Sequence, residues 1–293
     1  MKLKLIMSLL VSVMFFSGAF ALPKVLHWDK LSVDEFHEAR ELAKGTVIIP
    51  LGCVEKHARH LPLGTDSLIG MYLSEKVCEI EPVLIYDIGS LGAVWESKHW
   101  LGAVAISHNT LVAVLEDLCD EFARNGCTNI VISNNHGGNG PFLQSFVRTR
   151  LEKPRKYNLY YHEDRFSREQ YAQWHKRFGK MPTYGHAGIY ETSLMLHAFP
   201  ELVKMDKIAV AESTPKYRQK ELNKVRIYTP YDWYAECDTQ AYGDPSNSTK
   251  EMGEFVMSMH ITNLVNAIRA VKNDSLMPTM RAEFEKYSEN PKN

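Results

Sequence analysis

Two short apolar runs, each broken by glycine and followed by a helical pattern, limit what this 293-residue chain can fold into. T-V-I-I-P-L, Thr46 to Leu51, lies between Gly45 and Gly52, while T-N-I-V-I-S, Thr128 to Ser133, runs straight into N-N-H-G-G-N-G. Runs of this length with such boundaries read as buried strands. Val83 to Ile88, Ala103 to Ile106 and Tyr157 to Tyr161 are further strand candidates. Between them, Ile69, Tyr72, Leu73, Val77 and Ile80 recur at helical spacing after Asp66. Leu111, Leu115, Leu118 and Phe122 mark a second helix face, with Asn109 as its N-cap candidate and Gly126 past its end. Pro141 opens a third helix at a position where proline is favoured. Helices are also predicted over Glu191 to Ala198 and along Phe255, Val256, Met259, Leu264, Ile268 and Val271. Strands alternating with helices predict an α/β fold whose mainly parallel sheet is covered on both faces. Glu212 to Ser248 is polar, aromatic and poorly periodic, which reads as a long functional loop or an insertion.

At the N-terminus Lys2 and Lys4 precede an apolar run from Leu5 to Phe16 and the small-residue pattern Ala19-Phe20-Ala21. That order is a secretory signal peptide, and the run is shorter than the ~20 residues of a spanning helix. The expectation is a signal over 1–21, an exported mature chain (periplasmic or secreted) with no membrane association, and a single domain over 22–293. The 45% hydrophobic content suffices for a sizeable core, and a formal net charge of −1 gives no footprint for nucleic acid. Five cysteines at irregular spacing, Cys53, Cys78, Cys119, Cys127 and Cys237, form no CxxC metal pattern and read as mostly structural. Asn247 and Asn273 begin glycosylation-type triplets, a pattern short enough to recur by chance.

Chemistry-bearing residues fall in three places. E-K-H-A-R-H-L-P-L-G-T-D, Glu55 to Asp66, follows the first strand. Glu55 and His57 are two apart, so an extended segment points both to one side, and Asp66 at the next helix start can turn back toward them. Glu, His and Asp suit Zn²⁺ or Mn²⁺, although alone the segment also reads as a polar loop with Asp66 as N-cap. N-N-H-G-G-N-G places His136 at the carboxyl end of a strand, where open α/β sheets bind ligands. A plain Gly/Asn turn is the competing reading, and an esterase reading fails because the chain has no G-x-S-x-G nucleophile elbow. In G-H-A-G-I-Y-E-T-S, Glu191 begins an apolar helix, where the dipole favours a carboxylate, and His186 is either a proton carrier or a surface histidine.

In order and content these segments resemble the creatininase (creatinine amidohydrolase) family, approximately E-x-H-G-x-H-L-P-x-x-T-D, N-x-H-x-x-N and H-A-G-x-x-E-T-S. Gly243-Asp244-Pro245 followed by Gly253-Glu254 resembles a fourth family stretch, and the resemblance spans about Thr46 to Glu254. It implies a three-layer α/β/α sandwich, a homo-oligomer, and two divalent ions, Zn and/or Mn. Glu55, Asp66 and His136 would hold one ion and His57, Asp66 and Glu191 the other, with Asp66 bridging. His186 matches the catalytic histidine and would protonate the leaving nitrogen, since histidine titrates near neutrality. The implied activity is hydrolysis of a C–N bond in a small amide, lactam, formamide or short peptide through a metal-bridged hydroxide. An exported binding protein of the same fold without turnover is the alternative.

Several positions depart from the family. Lys56, Ala58 and Arg59 stand where Gln, Gly and Pro are usual, and the two cations are expected to alter substrate charge preference. A segment resembling G-x-S-x-E-H-x-x-F-P-G-T is degraded to W-E-S-K-H-W-L-G-A, Trp95 to Ala103. Members acting on creatinine carry a Glu where this chain has Gly138, and a Trp-Asp pair where it has Pro182 and Thr183. The ligand set is kept and the substrate contacts are not, which argues against creatinine as the substrate.

Overall fold

A computed structural model of the protein describes residues 22–179 and 185–292. The expected signal segment, 1–21, and the departures at Pro182 and Thr183 lie outside the described residues. After α1 (Val33–Leu42), β1 (Thr46–Leu51) is buried along its whole length. A strand apolar on both faces needs cover on both, as in a central parallel strand. α2 (Thr65–Cys78) leads to the short β2 (Leu84–Ile85), and α3 (His108–Arg124) to β3 (Asn129–Asn134). α4 (Asn139–Thr149) carries Pro141 in its first turn, where no N–H is needed, and precedes β4 (Asn158–His162). All strands are parallel in the order β2-β1-β3-β4, with Thr46 opposite Asn129 and Leu51 opposite Asn134.

α5 (Arg168–Phe178), α6 (Ile189–Ala198), the short α7 (Lys220–Lys224) and α8 (Asp232–Cys237), α9 (Lys250–Lys272) and α10 (Leu276–Glu289) follow. The layers form an α/β/α sandwich whose core joins Ile48, Leu84 and Ile130 of the sheet to Leu115 and Phe122 of α3 and Leu264 and Ile268 of α9. α6 and α9 cross closely: a Cβ added at Gly253 would lie 1.8 Å from the Ser193 carbonyl oxygen.

Three local expectations are corrected. Ala103 to Ile106 is a loop, tied by Val104 N to the Val54 carbonyl at 3.1 Å and by Trp95 Nε1 to the Ile106 carbonyl at 2.7 Å, so the apolar run lies there without a strand partner. α3 starts one residue before Asn109, because the Ser107 hydroxyl takes the Thr110 N–H at 3.2 Å and is the true N-cap. The strand expected over Val83 to Ile88 shrinks to Leu84–Ile85, although Tyr86 N still bonds the Ile48 carbonyl at 3.0 Å.

Candidate metal centre

β1 and β3 are neighbours although the chain visits β2 between them, so their carboxyl ends flank a reversal of strand order, where α/β sheets open a crevice. The loop after β1 brings Cys53, Glu55 and His57 to this point, and the turn after β3 brings His136. Asp66 comes from the first turn of α2 and Glu191 from the first turn of α6. Ligand-type atoms of Cys53, Glu55, Asp66 and His136 lie within 4.8 Å of one another, as do those of His57, Asp66 and Glu191, with Asp66 common to both groups. His186 forms a third such group with Glu55 and His57. All six residues singled out in the sequence therefore converge.

The rings are oriented from behind by backbone carbonyls. His57 donates Nδ1–H to the Glu55 carbonyl at 3.3 Å, His136 donates Nε2–H to the Ala93 carbonyl at 3.1 Å, and His186 donates Nε2–H to the Lys56 carbonyl at 2.8 Å. Each ring then turns its other nitrogen inward. His57 Nε2 is 3.0 Å from Asp66 Oδ1 and 3.9 Å from Glu191 Oε2; His136 Nδ1 is 2.9 Å from Asp66 Oδ2 and 3.1 Å from Glu55 Oε1. A neutral imidazole presents a lone pair there, and lone pairs facing carboxylate oxygens require a positive charge among them. The protonation tendencies register that demand. Burial alone would push the His57 imidazole down, but Asp66, Glu191 and Glu55 outweigh it and raise it to about 10. Burial would likewise raise the Asp66 carboxyl, yet the His57 and His136 rings hold it well below the usual range. Nitrogen and oxygen donors around a shared carboxylate fit divalent Zn or Mn.

Further residues fix this set. The Cys53 thiol donates to Asp66 Oδ2 at 3.2 Å, and burial pushes its pKa up, so it acts as a hydrogen donor. Read from sequence as structural, Cys53 belongs to the site; its position two before Glu55 on the same extended segment was the available signal. Ser97 Oγ donates to Glu55 and accepts from Gln240 Nε2 at 2.7 Å, so the segment that looked degraded still supports a candidate ligand. The Ala187 amide donates to Glu191 Oε2 at 2.5 Å, and His60 Nε2 meets Thr192 Oγ1 at 2.8 Å, tying the first loop to α6. Ala58 has φ +52°, which explains why glycine is usual there.

A cavity of about 650 Å³ opens over the cluster, walled by Trp95, Glu96, Phe142, Asp232 and Trp233 beside the ligands. Trp233 stands edge-on to His186 at 5.6 Å, so the Glu212–Ser248 stretch does contribute to the site. The expectation for Lys56 and Arg59 is corrected. Lys56 Nζ bonds the Thr239 carbonyl at 2.6 Å over the Trp100 ring, and Arg59 pairs with Glu212 at 2.8 Å. Neither is among the described residues lining the cavity.

The family model described as "Creatininase: Creatinine amidohydrolase" matches residues 29–268. The creatinine amidohydrolase of Pseudomonas putida is 26% identical over 80% of this chain and 92% of its own length. The mycofactocin precursor peptide peptidase of Mycobacterium ulcerans is 28% identical over 76% of this chain and 84% of its own. Among solved structures, one described as "Creatininase Mn" superposes with a TM-score of 0.69 at 18% identity, covering 85% of this chain and 100% of that one. A mutant creatininase of "Zn-Zn type" gives 0.68 at 20% identity, covering 86% and 100%.

Proposed function

The chain belongs to the creatininase family of amidohydrolases, and from that premise we propose that it is a dinuclear metal-dependent hydrolase of an amide C–N bond. The observation that carries this reading is the pair of buried donor groups sharing Asp66. Glu55, Asp66 and His136 would hold one ion and His57, Asp66 and Glu191 the other. Bound there, two ions such as Zn or Mn supply a water of lowered pKa and polarise the scissile carbonyl. His186 keeps its Nε2 proton on the Lys56 carbonyl and turns Nδ1 toward Glu55 at 3.9 Å, so Nδ1 is the atom that takes up a proton and passes it to the leaving nitrogen. Trp233 restricts that ring and walls the reacting amide from water.

The substrate is a small amide rather than creatinine itself, because the positions that contact creatinine in the family are changed. A short peptide is a second reading. A further cavity of about 510 Å³ shares Asp164, Tyr190, Glu191 and His260 with the first, giving room for an extended chain. Export of the mature chain after residue 21 and assembly into a homo-oligomer complete the proposal; Leu276, Met280 and Phe284 form an exposed apolar stripe on α10 in keeping with assembly. Elemental analysis of purified mature protein beside Asp66→Ala tests the centre. Two equivalents per chain, both reduced in the variant, are expected, together with amide turnover lost on chelation. No specific metal under replete conditions refutes the mechanism.

A further inference from the structure

Gly138 and Glu96 are far apart in sequence and meet at the outer edge of His136. A Cβ built on Gly138 would fall 2.3 Å from Glu96 Oε1, 2.5 Å from His136 Nε2 and 2.6 Å from the Ala93 carbonyl oxygen. Contacts that short do not occur, and two of the three partners are a backbone oxygen and a ring already fixed by it. Position 138 is thus closed to a side chain, because the backbone at Ala93 and the carboxylate of Glu96 fill the space where one would begin. Glu96 Oε1 itself is 3.2 Å from His136 Nε2, the nitrogen that also donates to Ala93 at 3.1 Å. The inner nitrogen of the same ring faces Glu55 and Asp66.

From this geometry we infer that Glu96 is a positioning residue for His136, a carboxylate delivered from the turn at Trp95–Ser97 to the back of the ring. It holds the Nε2–H tautomer, so that Nδ1 remains the ligand atom, and it raises the ring's basicity. Carboxylates placed behind a ligating imidazole act in this way, and their loss costs on the order of 10–100-fold in metal affinity or activity. Glu96 does not belong to either donor group, so it acts through His136 and not as a ligand. With a side chain 23% exposed and lining the cavity, it can be changed without opening the core. The inference rests on the dinuclear reading above and assigns to this chain a contact between two segments that departs from the family pattern at both ends.

The test is Zn²⁺ titration by calorimetry against a competing chelator, on the mature protein and on Glu96→Ala, Glu96→Gln and Gly138→Ala. Glu96→Ala is expected to weaken one equivalent by roughly tenfold or more, since the Ala93 carbonyl still holds the ring, and to leave the other within about twofold. Glu96→Gln keeps an acceptor oxygen without the charge and falls between. Gly138→Ala, which pushes Glu96 and His136 apart, weakens the same equivalent. Two wild-type affinities in Glu96→Ala overturn the inference and leave the metal centre standing. A mature protein that binds no Zn²⁺ overturns both.

Discussion

Replacing Gly253 by alanine is expected to damage the metal centre without touching any ligand. Gly253 lies on the buried face of α9, and the added Cβ would sit 1.8 Å from the carbonyl oxygen of Ser193 and 2.5 Å from its carbonyl carbon. A carbon and an oxygen rest at about 3.3 Å or more, so the helices must part by about 1.5 Å at the crossing. Both Ser193 atoms are backbone, so no rotamer change relieves the contact. Ser193 is two residues beyond Glu191 on α6, and the helix carries that displacement into the ligand. Overpacking of this kind costs ~1–3 kcal/mol of stability, and a shift of about 1 Å at a reacting site costs ~10²-fold in rate. Urea denaturation read by circular dichroism should show the destabilisation, and elemental analysis should show selective loss of the equivalent that depends on Glu191. A Gly253→Ala protein with wild-type stability and two tightly held ions would refute this account of the crossing. The same reasoning explains why a glycine heads the Gly253-Glu254 pair: its role is close approach of helices.

Other perturbations follow from single contacts. Chelation should lower the unfolding free energy by about 2.7 kcal/mol for a site held at a hundredfold excess over its Kd, moving the denaturation midpoint down, and Zn²⁺ or Mn²⁺ should restore it; an unchanged midpoint would argue against structural coupling of the ions. Ser97→Ala removes a hydroxyl bonded to Glu55 and should weaken metal binding by roughly tenfold, measured by chelator competition. Ala58→Gly relieves a φ of +52° and should stabilise the fold by about 1 kcal/mol in urea denaturation, with metal content unchanged. Trp233→Ala takes the ring away from His186 and should lower kcat/KM about tenfold, or 1.4 kcal/mol, while both metal equivalents stay bound.

The convergence of the candidate ligands was legible because local spacing favours it. Glu55 and His57 share a side of one extended segment, Asp66 and Glu191 open helices, and His136 ends a strand, so the parallel order of β1 and β3 is enough to gather them. The environment of those ligands was not legible, because it arises between segments far apart in sequence. Lys56 read as a cation beside the site able to alter substrate charge preference, yet Thr239, Trp100 and Glu212 draw its ammonium away from the cavity. Trp95 to Ala103 read as degraded, yet Ser97 bonds a ligand and Glu96 meets another. Asp232 and Trp233 had no periodicity to mark them, and only the fold brings them to the cavity. A motif scores each segment against its own expected residues, whereas a site needs only that the right group reach the right space. Gly138 makes the point physically: a side chain there is excluded by 2.6 Å to the Ala93 carbonyl, and the carboxylate in that space belongs to Glu96, forty-two residues earlier in the chain. A space left by one changed family residue can thus receive a carboxylate from another segment, so substrate choice in this protein is read from the cavity walls as well as from the motif positions.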